Sequence, residues 1–221
     1  MLSVIIPAYK ATKYIDECIA SIKGDCEILI GVDACEETYN HIRHLENVYY
    51  FKENVGPYVI KNTLVNQAKY DSILFFDSDD VMAPGTIEKV TETLSSKDYV
   101  KLSYIDFIKK PLLSGIVYSN AVIGIKKDVF NSINGFYPWR CSADTELVNR
   151  LKHNNFSCKT ILNVCYYRRL HKDNLTVRKE TGHGSPIRKT YVDYINVHLS
   201  KQTWPNPPIK TIQDYVKDWN A

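Results

Sequence analysis

Three aspartates in four residues lie within the stretch "ILFFDSDDVMAPGTIEKV", residues 73 to 90. Asp77, Asp79 and Asp80 follow an apolar run, so a buried strand would end in a cluster of like charge. Carboxylates this close repel, and taking them out of water is costly unless something positive compensates. A divalent cation is one compensator. In Asp77-Ser78-Asp79 the two carboxylates stand at i and i+2, on one side of an extended chain. Oxygen ligands of this kind suit Mg²⁺ or Mn²⁺, and Mg²⁺ takes one or two protein carboxylates and fills its shell from substrate phosphates. The plainer alternative is capping: Asp80 or a neighbour would cap the helix that begins near Pro84, a residue suited to the first helical position. A position directly after a buried strand favours the metal.

Around this cluster, strand and helix patterns alternate. "LSVII" (2 to 6) is an apolar run stopped by Pro7. Tyr14, Ile15, Cys18, Ile19 and Ile22 fall on one face of a helix spanning 12 to 22. "EILIGVD" (27 to 33), "NVYYF" (47 to 51) and "SILFFD" (72 to 77) read as further strands, with helices predicted over 36 to 44, from Gly56-Pro57 to Ala68, and from Pro84. The strands are continuously apolar, as expected when both faces are covered. This predicts an α/β domain with a mainly parallel sheet. Ligands bind such sheets at the carboxyl ends of strands. The aspartate cluster, Asp33 and Pro7-Ala8-Tyr9 all sit there.

The second half is less regular. "DYVKLSYIDFI" and "IVYSNAVIGI" predict strands of a mixed sheet, "SADTELVNRLKH" a helix, and "CKTILNVCYYRRL" another strand. Residues 171 to 186 form a long polar stretch with Gly182, Gly184 and Pro186, and loops of that length are functional or disordered. One or two helices are expected from 187 to 221 around "WPNPP".

Bulk properties bound the class. A chain of 221 residues with 44% hydrophobic and 24% charged residues is an ordinary globular protein. A net charge of +3 does not by itself imply nucleic-acid binding. No apolar run approaches the roughly 18 residues needed to cross a bilayer, and the N-terminus lacks the basic region of a signal peptide. The six cysteines form no C-x-x-C pair, so reduced thiols and a cytoplasmic location are expected, with peripheral membrane association left open.

Five motifs in order carry a resemblance that covers residues 3 to about 176. "SVIIPAYKATKYIDECIASI", "EILIGVDACEET", "ENVGPYVIKNTLVNQAKYDSILFFDSDD", "INGFYPWRCSADTELVNRL" and "YYRRLHKDNLT" together resemble glycosyltransferase family 2, whose members have the GT-A nucleotide-sugar fold. The resemblance implies a Rossmann-like, mainly parallel sheet continued by a mixed sheet, with a C-terminal helical extension. It divides the chain into a GT-A domain over 1–186 and an extension over 187–221; within the former, 1–95 would bind the nucleotide sugar and 96–186 would hold the acceptor side and a lid loop.

The resemblance also implies roles. Pro7, Ala8, Tyr9 and Asp33 would line the donor's base, with Asp33 accepting from uracil N3–H; a turn proline and a capping aspartate are the plain alternatives. Asn54, Gly56 and Lys61 belong to the motif before the aspartates, Lys61 replacing the usual arginine. Asp77 and Ser78 would meet the ribose and diphosphate. Asp79, with Asp77, would hold Mn²⁺ or Mg²⁺, and Asp80 would orient neighbours. His171 would approach the metal or diphosphate, and Arg168 and Arg169 the diphosphate. Asp144 matches the family's catalytic base, with Glu146 as the alternative and a helix cap as the plain reading. Gly182-His183-Gly184 would form a lid or an ordinary loop. Lys10 in place of asparagine, and "VDACEET", depart from the family pattern at the base contacts.

The function implied is metal-dependent, inverting transfer of a sugar from a nucleoside diphosphate, UDP first, to a hydroxyl. A glycan or lipid-linked glycan is the default acceptor, with Trp139, Arg140, Trp204 and Trp219 available to sugar rings or bases. A hydroxymethylated base in DNA is the second acceptor class. Its motive is the basic run Arg168, Arg169, Lys172, Arg178, Lys179, Arg188 and Lys189. A sugar nucleotidyltransferase would want a glycine-rich loop near residue 10, and "PAYKATKY" has none. A degenerate sugar-binding module would not need Asp77, Asp79 and Asp144.

Overall fold

The computed structural model describes residues 1–108 and 115–208. Strands β1 (Leu2–Ala8), β2 (Cys26–Asp33), β3 (Val48–Phe51) and β4 (Ser72–Phe75) alternate with helices α1 (Ile15–Ser21), α2 (Glu36–Ile42) and α3 (Pro57–Gln67). Then follow β5 (Val81–Met82), α4 (Thr86–Ser96), β6 (Tyr99–Phe107), β7 (Val117–Lys126), α5 (Lys127–Ser132), α6 (Ala143–His153), β8 (Cys158–Arg169) and α7 (Pro186–Lys201).

The strands form a single eight-stranded sheet in the order β3-β2-β1-β4-β7-β6-β8-β5. β3, β2, β1 and β4 are parallel neighbours. β7 runs antiparallel to β4 and β6, while β8 is parallel to β6. The order reverses beside β1, since β2 lies on one flank and β4 on the other. The crevice at that reversal is where open α/β sheets bind ligands, and Tyr9 and the aspartate cluster stand on its two sides.

Alternation along β1 explains its unbroken apolar run. Val4, Ile6 and Ala8 enter a core shared with Ile15, Cys18, Ile42, Ile87, Val90 and Leu94. Ile5 enters the opposite core, with Val59, Ile60, Leu64, Phe130, Leu147 and Leu151. Helices therefore cover both faces of the parallel half.

Three features depart from the sequence expectation. Pro84 does not open a helix: α4 begins at Thr86 after Gly85, which takes a left-handed φ of 76°. The residues just before Pro84 form β5, an antiparallel partner of β8 through Val81–Tyr167 and Met82–Tyr166. The short helix α5 follows β7 directly. All six cysteines are free thiols. Trp219 and any helix beyond residue 208 lie outside the described residues. Among those described, no helix is long and apolar enough to cross a membrane.

One buried ion pair fixes the second half. Arg150 and Glu146 are both fully buried. Arg150 Nε donates to Glu146 Oε1 at 2.8 Å and Nη2 to Oε2 at 2.9 Å. The same guanidinium donates to the carbonyls of Ile133 and Gly135, which anchors the chain entering α6. Glu146→Gln should leave this guanidinium half-paired and lower stability in urea unfolding by about 3–5 kcal/mol. The double variant Glu146→Leu/Arg150→Met should recover part of that loss, less the two carbonyls left without a donor.

Candidate active site

The carboxyl ends of β1, β2 and β4 open onto one cleft. Pro7 and Ala8 are buried within β1, and the side chain presented there is Tyr9, 36% exposed. The next strand ends in Asp33, which is 4% exposed. Its Oδ1 accepts Val55 N–H at 2.7 Å, and its Oδ2 accepts Gly56 N–H at 3.0 Å and Asn54 Nδ2 at 3.0 Å. Burial raises the Asp33 carboxyl, while the two backbone donors and Arg140 oppose that rise. Gly56 is required here, since its φ of 80° with an extended ψ is a backbone conformation that side-chain-bearing residues rarely adopt.

The three aspartates are compensated separately. Asp77 Oδ1 accepts from Lys61 Nζ at 3.1 Å, and Lys61 is itself nearly buried. Burial pushes Asp77 up, Lys61 pulls it back, and the neighbouring Asp79 and Asp144 push again. Ser78 makes the half-buried turn between the carboxylates. Asp80 is buried and accepts Arg169 N–H at 2.9 Å; burial, then the charges of Asp79 and Asp77, raise it well above the usual range. Asp79 Oδ2 lies 2.8 Å from His171 Nε2 and accepts from Asn174 Nδ2 at 3.2 Å. His171 Nδ1 accepts Asp173 N–H at 3.3 Å, so the network assigns the ring proton of the neutral imidazole to Nε2.

Asp79 and His171 fit a divalent cation. Their 2.8 Å separation is close to the roughly 3 Å between neighbouring corners of an octahedron with bonds near 2.1 Å. With Nε2 on a cation, the ring proton of the neutral imidazole would sit on Nδ1 instead. No third His, Cys, Asp or Glu completes a cluster among the described residues. Asp77 is held by Lys61 and does not join the pair. Two protein ligands suit an ion that takes its remaining ligands from phosphate oxygens.

Asp144 reaches the same cleft from the first turn of α6. Its Oδ1 accepts from Tyr58 Oη at 3.1 Å, and Tyr58 in turn lies 5.6 Å below the Lys61 ammonium. Glu146, the alternative base, is excluded by its complete burial against Arg150. The segment leading to Asp144 is strapped to α3 and to the loop before it. Arg140 donates to Asn54 Oδ1 and to the Asn54 carbonyl; Tyr58 bonds Asp144; Asn62 exchanges two hydrogen bonds with the Phe136 backbone. Nothing in the sequence named these partners.

Other expected contacts are already engaged. Arg169 Nε donates to the Asp79 carbonyl at 2.9 Å and Nη2 to Glu17 at 2.5 Å. Arg168 forms a forked pair with Asp106 at 2.7 and 3.0 Å. Trp139 stacks on Tyr191 at 4.5 Å and 6°, joining α7 to the α5–α6 connection. Trp204 lies 5.9 Å from His198 in that aromatic group. Residues 171 to 185 are a run of turns closed by bonds such as Gly182 N–H to the Arg178 carbonyl at 2.7 Å, and Arg178 stands 5.9 Å from the Tyr9 ring.

A family model, "Glycosyl transferase family 2", matches residues 3–195, and the chain belongs to that family. Among curated proteins it is 29% identical over 108 residues to the "Putative teichuronic acid biosynthesis glycosyltransferase TuaG" of Bacillus subtilis (strain 168), a match covering 44% of this chain and 43% of TuaG. The match thus spans less than half of that relative. The fold is that of the GT-A glycosyltransferases. S. aureus TarS 1-349 in complex with UDP-GlcNAc superposes with a TM-score of 0.63 at 18% identity, over 90% of this chain and 72% of that one. The mannosyltransferase PcManGT from Pyrobaculum calidifontis, in complex with GDP-Man and Mn²⁺, gives 0.63 at 12% identity, over 90% and 69%.

Asp33→Ala should strand the buried Val55 and Gly56 N–H groups. Thermal or urea unfolding without any nucleotide should show a loss of roughly 2–5 kcal/mol, the cost of two orphaned donors. An unchanged midpoint would show that the loop rearranges around the lost carboxylate.

Proposed function

We propose that the chain is a metal-dependent, inverting glycosyltransferase that moves a sugar from a nucleoside diphosphate, UDP first, to an acceptor hydroxyl. The observation that carries this reading is the convergence of Asp144, held by Tyr58, with Asp77 and the Asp79–His171 pair on one cleft. The donor half, 1–95, would bind the nucleotide at Tyr9, Asp33, Asn54 and Gly56, and the acceptor would approach from 96–186, with 187–221 as an extension.

Each residue then has a task. Asp33 holds the Asn54–Gly56 loop and has one lone-pair direction on Oδ1 left for a base N–H. Lys61, which neutralises Asp77, places positive charge beside the site of the ribose and diphosphate. A divalent cation at Asp79 and His171 would supply positive charge for the departing diphosphate. Tyr58 occupies Asp144 Oδ1 and leaves Oδ2 to accept the acceptor's proton as its oxygen bonds to the anomeric carbon. The bond to the diphosphate breaks on the opposite face, so the anomeric configuration inverts.

A glycan or lipid-linked glycan acceptor is supported by the relative named for teichuronic acid biosynthesis. The DNA reading rested on the basic run, and five of its seven cations have internal partners. Arg168 serves Asp106, Arg169 serves Glu17 and the Asp79 backbone, Arg178 serves the Asp173 carbonyl, Arg188 serves the Thr181 and Leu175 carbonyls, and Lys189 serves Asp193.

Two measurements test the proposal. UDP should raise the melting temperature more with Mn²⁺ than with EDTA, and Asp79→Ala should remove that difference while the protein stays folded. Asp144→Asn should keep the Mn²⁺-dependent shift, and its turnover with UDP-sugars should fall by roughly 10²- to 10⁴-fold. Ser142 is the N-cap of α6 and Asp144 lies in its first turn, so a normal turnover in that variant would reduce Asp144 to a first-turn acid facing the helix dipole.

A further inference from the structure

Helix α1 turns one stripe toward the aspartate loop. Tyr14, Glu17, Cys18 and Ser21 stand at i, i+3, i+4 and i+7, the spacing of a single helix face. Ser21 Oγ accepts Met82 N–H at 2.8 Å, and Cys18 Sγ donates to the Asp77 carbonyl at 3.5 Å. These two contacts fix the backbone on either side of Asp79. The other two reach the groups that hold Asp79 itself.

The Tyr14 ring lies 4.8 Å from the His171 ring, tilted by 40°. The Arg169 guanidinium carbon lies 4.8 Å from the same Tyr14 ring and 4.5 Å from the Phe107 ring. Glu17 Oε2 accepts from Arg169 Nη2 while Arg169 Nε grips the Asp79 carbonyl. One aromatic ring thus packs against both a side chain that bonds the Asp79 carboxylate and a side chain that bonds its backbone.

We propose that Tyr14 and Glu17 are positioning residues for the divalent-cation site, acting through His171 and Arg169 to set the direction of the Asp79 carboxylate and of His171 Nε2. The inference rests on the reading of Asp79 and His171 as the cation-holding pair. The edge of the imidazole is fixed by hydrogen bonds: Nε2 to Asp79, Nδ1 to Asp173 N–H, with His171 N–H on Asn174 Oδ1. Tyr14 packs against the ring's face. Removing that ring frees the imidazole to turn about its side-chain bonds, and entropy then opposes placing Nε2 on a metal. Arg169 is held by charge and stacking together. Without Glu17 its fork loses an anionic partner, and the Asp79 carbonyl loses a fixed donor. Partners that orient metal ligands in this way are typically worth 10- to 100-fold in metal affinity.

The test is Mn²⁺ binding to the purified chain in the presence of UDP, followed by the electron paramagnetic resonance signal of free Mn²⁺. Asp79→Ala should abolish binding. Tyr14→Leu should weaken it by about 10- to 100-fold, and Glu17→Gln by about tenfold. Tyr14→Phe keeps the ring and should bind like the wild type. Glu17 is 58% exposed, so its variant remains informative if Tyr14→Leu does not fold. Equal Mn²⁺ affinity in wild type, Tyr14→Leu and Glu17→Gln would overturn the proposal and leave the metal reading standing. Equal losses in Tyr14→Phe and Tyr14→Leu would overturn the route through the ring. Failure of the wild type to bind Mn²⁺ would overturn the metal reading, and this proposal with it.

Discussion

Crowding of three carboxylates at the end of β4 is the constraint to which the rest of the site answers. Two like charges about 4 Å apart repel by about 4 kcal/mol at the effective dielectric of a protein surface, and a whole domain is stable by only about 5–15 kcal/mol. Such a cluster persists only if each member finds its own compensation. Lys61 comes from α3 for Asp77, His171 and Asn174 come from beyond β8 for Asp79, and the Arg169 backbone comes from the end of β8 for Asp80. The need for compensation therefore draws the carboxyl end of β8 toward β4, although β7 and β6 separate them in the sheet order. β5 itself, two residues long, is the backbone expression of the same approach.

Helix α3 and the loop before it perform the matching task for Asp144. Asn54, Tyr58 and Asn62 take Arg140, Asp144 and Phe136 in turn, while Lys61, on the neighbouring face, serves Asp77. One helix thus sets the distance between the aspartate cluster and Asp144. Asn54, in the loop before α3, also donates to Asp33, so that loop connects the end of β2 to the chain that carries Asp144. The buried Arg150–Glu146 pair holds the far end of that chain.

What could be read in the sequence was whatever depended on near neighbours. The parallel strands were legible because burial on both faces leaves long apolar runs, and α3 and α6 because their period and flanks are local. β5 was illegible because two residues carry no pattern, and Pro84 misled because Gly85 can adopt the left-handed φ that delays the helix to Thr86. Asp79 and His171, 92 residues apart in sequence and 2.8 Å apart in the structure, were linked in the sequence through an ordered set of motifs and not through spacing. The partners of charged residues were not legible. Glu146 stood open as a base until Arg150 was seen to enclose it, and Arg168 counted toward a phosphate stripe until Asp106 was found opposite. Trp139 looked like a sugar platform, and its 4.5 Å stacking on Tyr191 shows that packing α7 already uses that ring.

Three non-glycine residues in left-handed conformations mark where the backbone is bent to serve the cleft. Lys10 follows Tyr9 with φ 53°, Ala34 follows Asp33 with φ 49°, and Ser142 precedes α6 and Asp144 with φ 68°. Each costs roughly 1–2 kcal/mol for an L-residue, so together they consume a sizeable part of a typical domain's stability. They persist because neighbours over-determine them. Ala34 N–H is held by the Phe51 carbonyl at 2.9 Å, Ala11 N–H beside Lys10 by Thr38 Oγ1 at 3.0 Å, and Ser142 Oγ by Arg188 Nη1 at 3.2 Å. A relaxed backbone would carry β1 and β2 straight on into solvent. The bends instead turn the chain as soon as Tyr9 and Asp33 have been delivered to the cleft, and the third starts α6 with Asp144 beneath the Tyr58 hydroxyl. Strain at these three turns, each next to a residue the chemistry would use, is what a site placed at strand ends requires of the chain that must leave it.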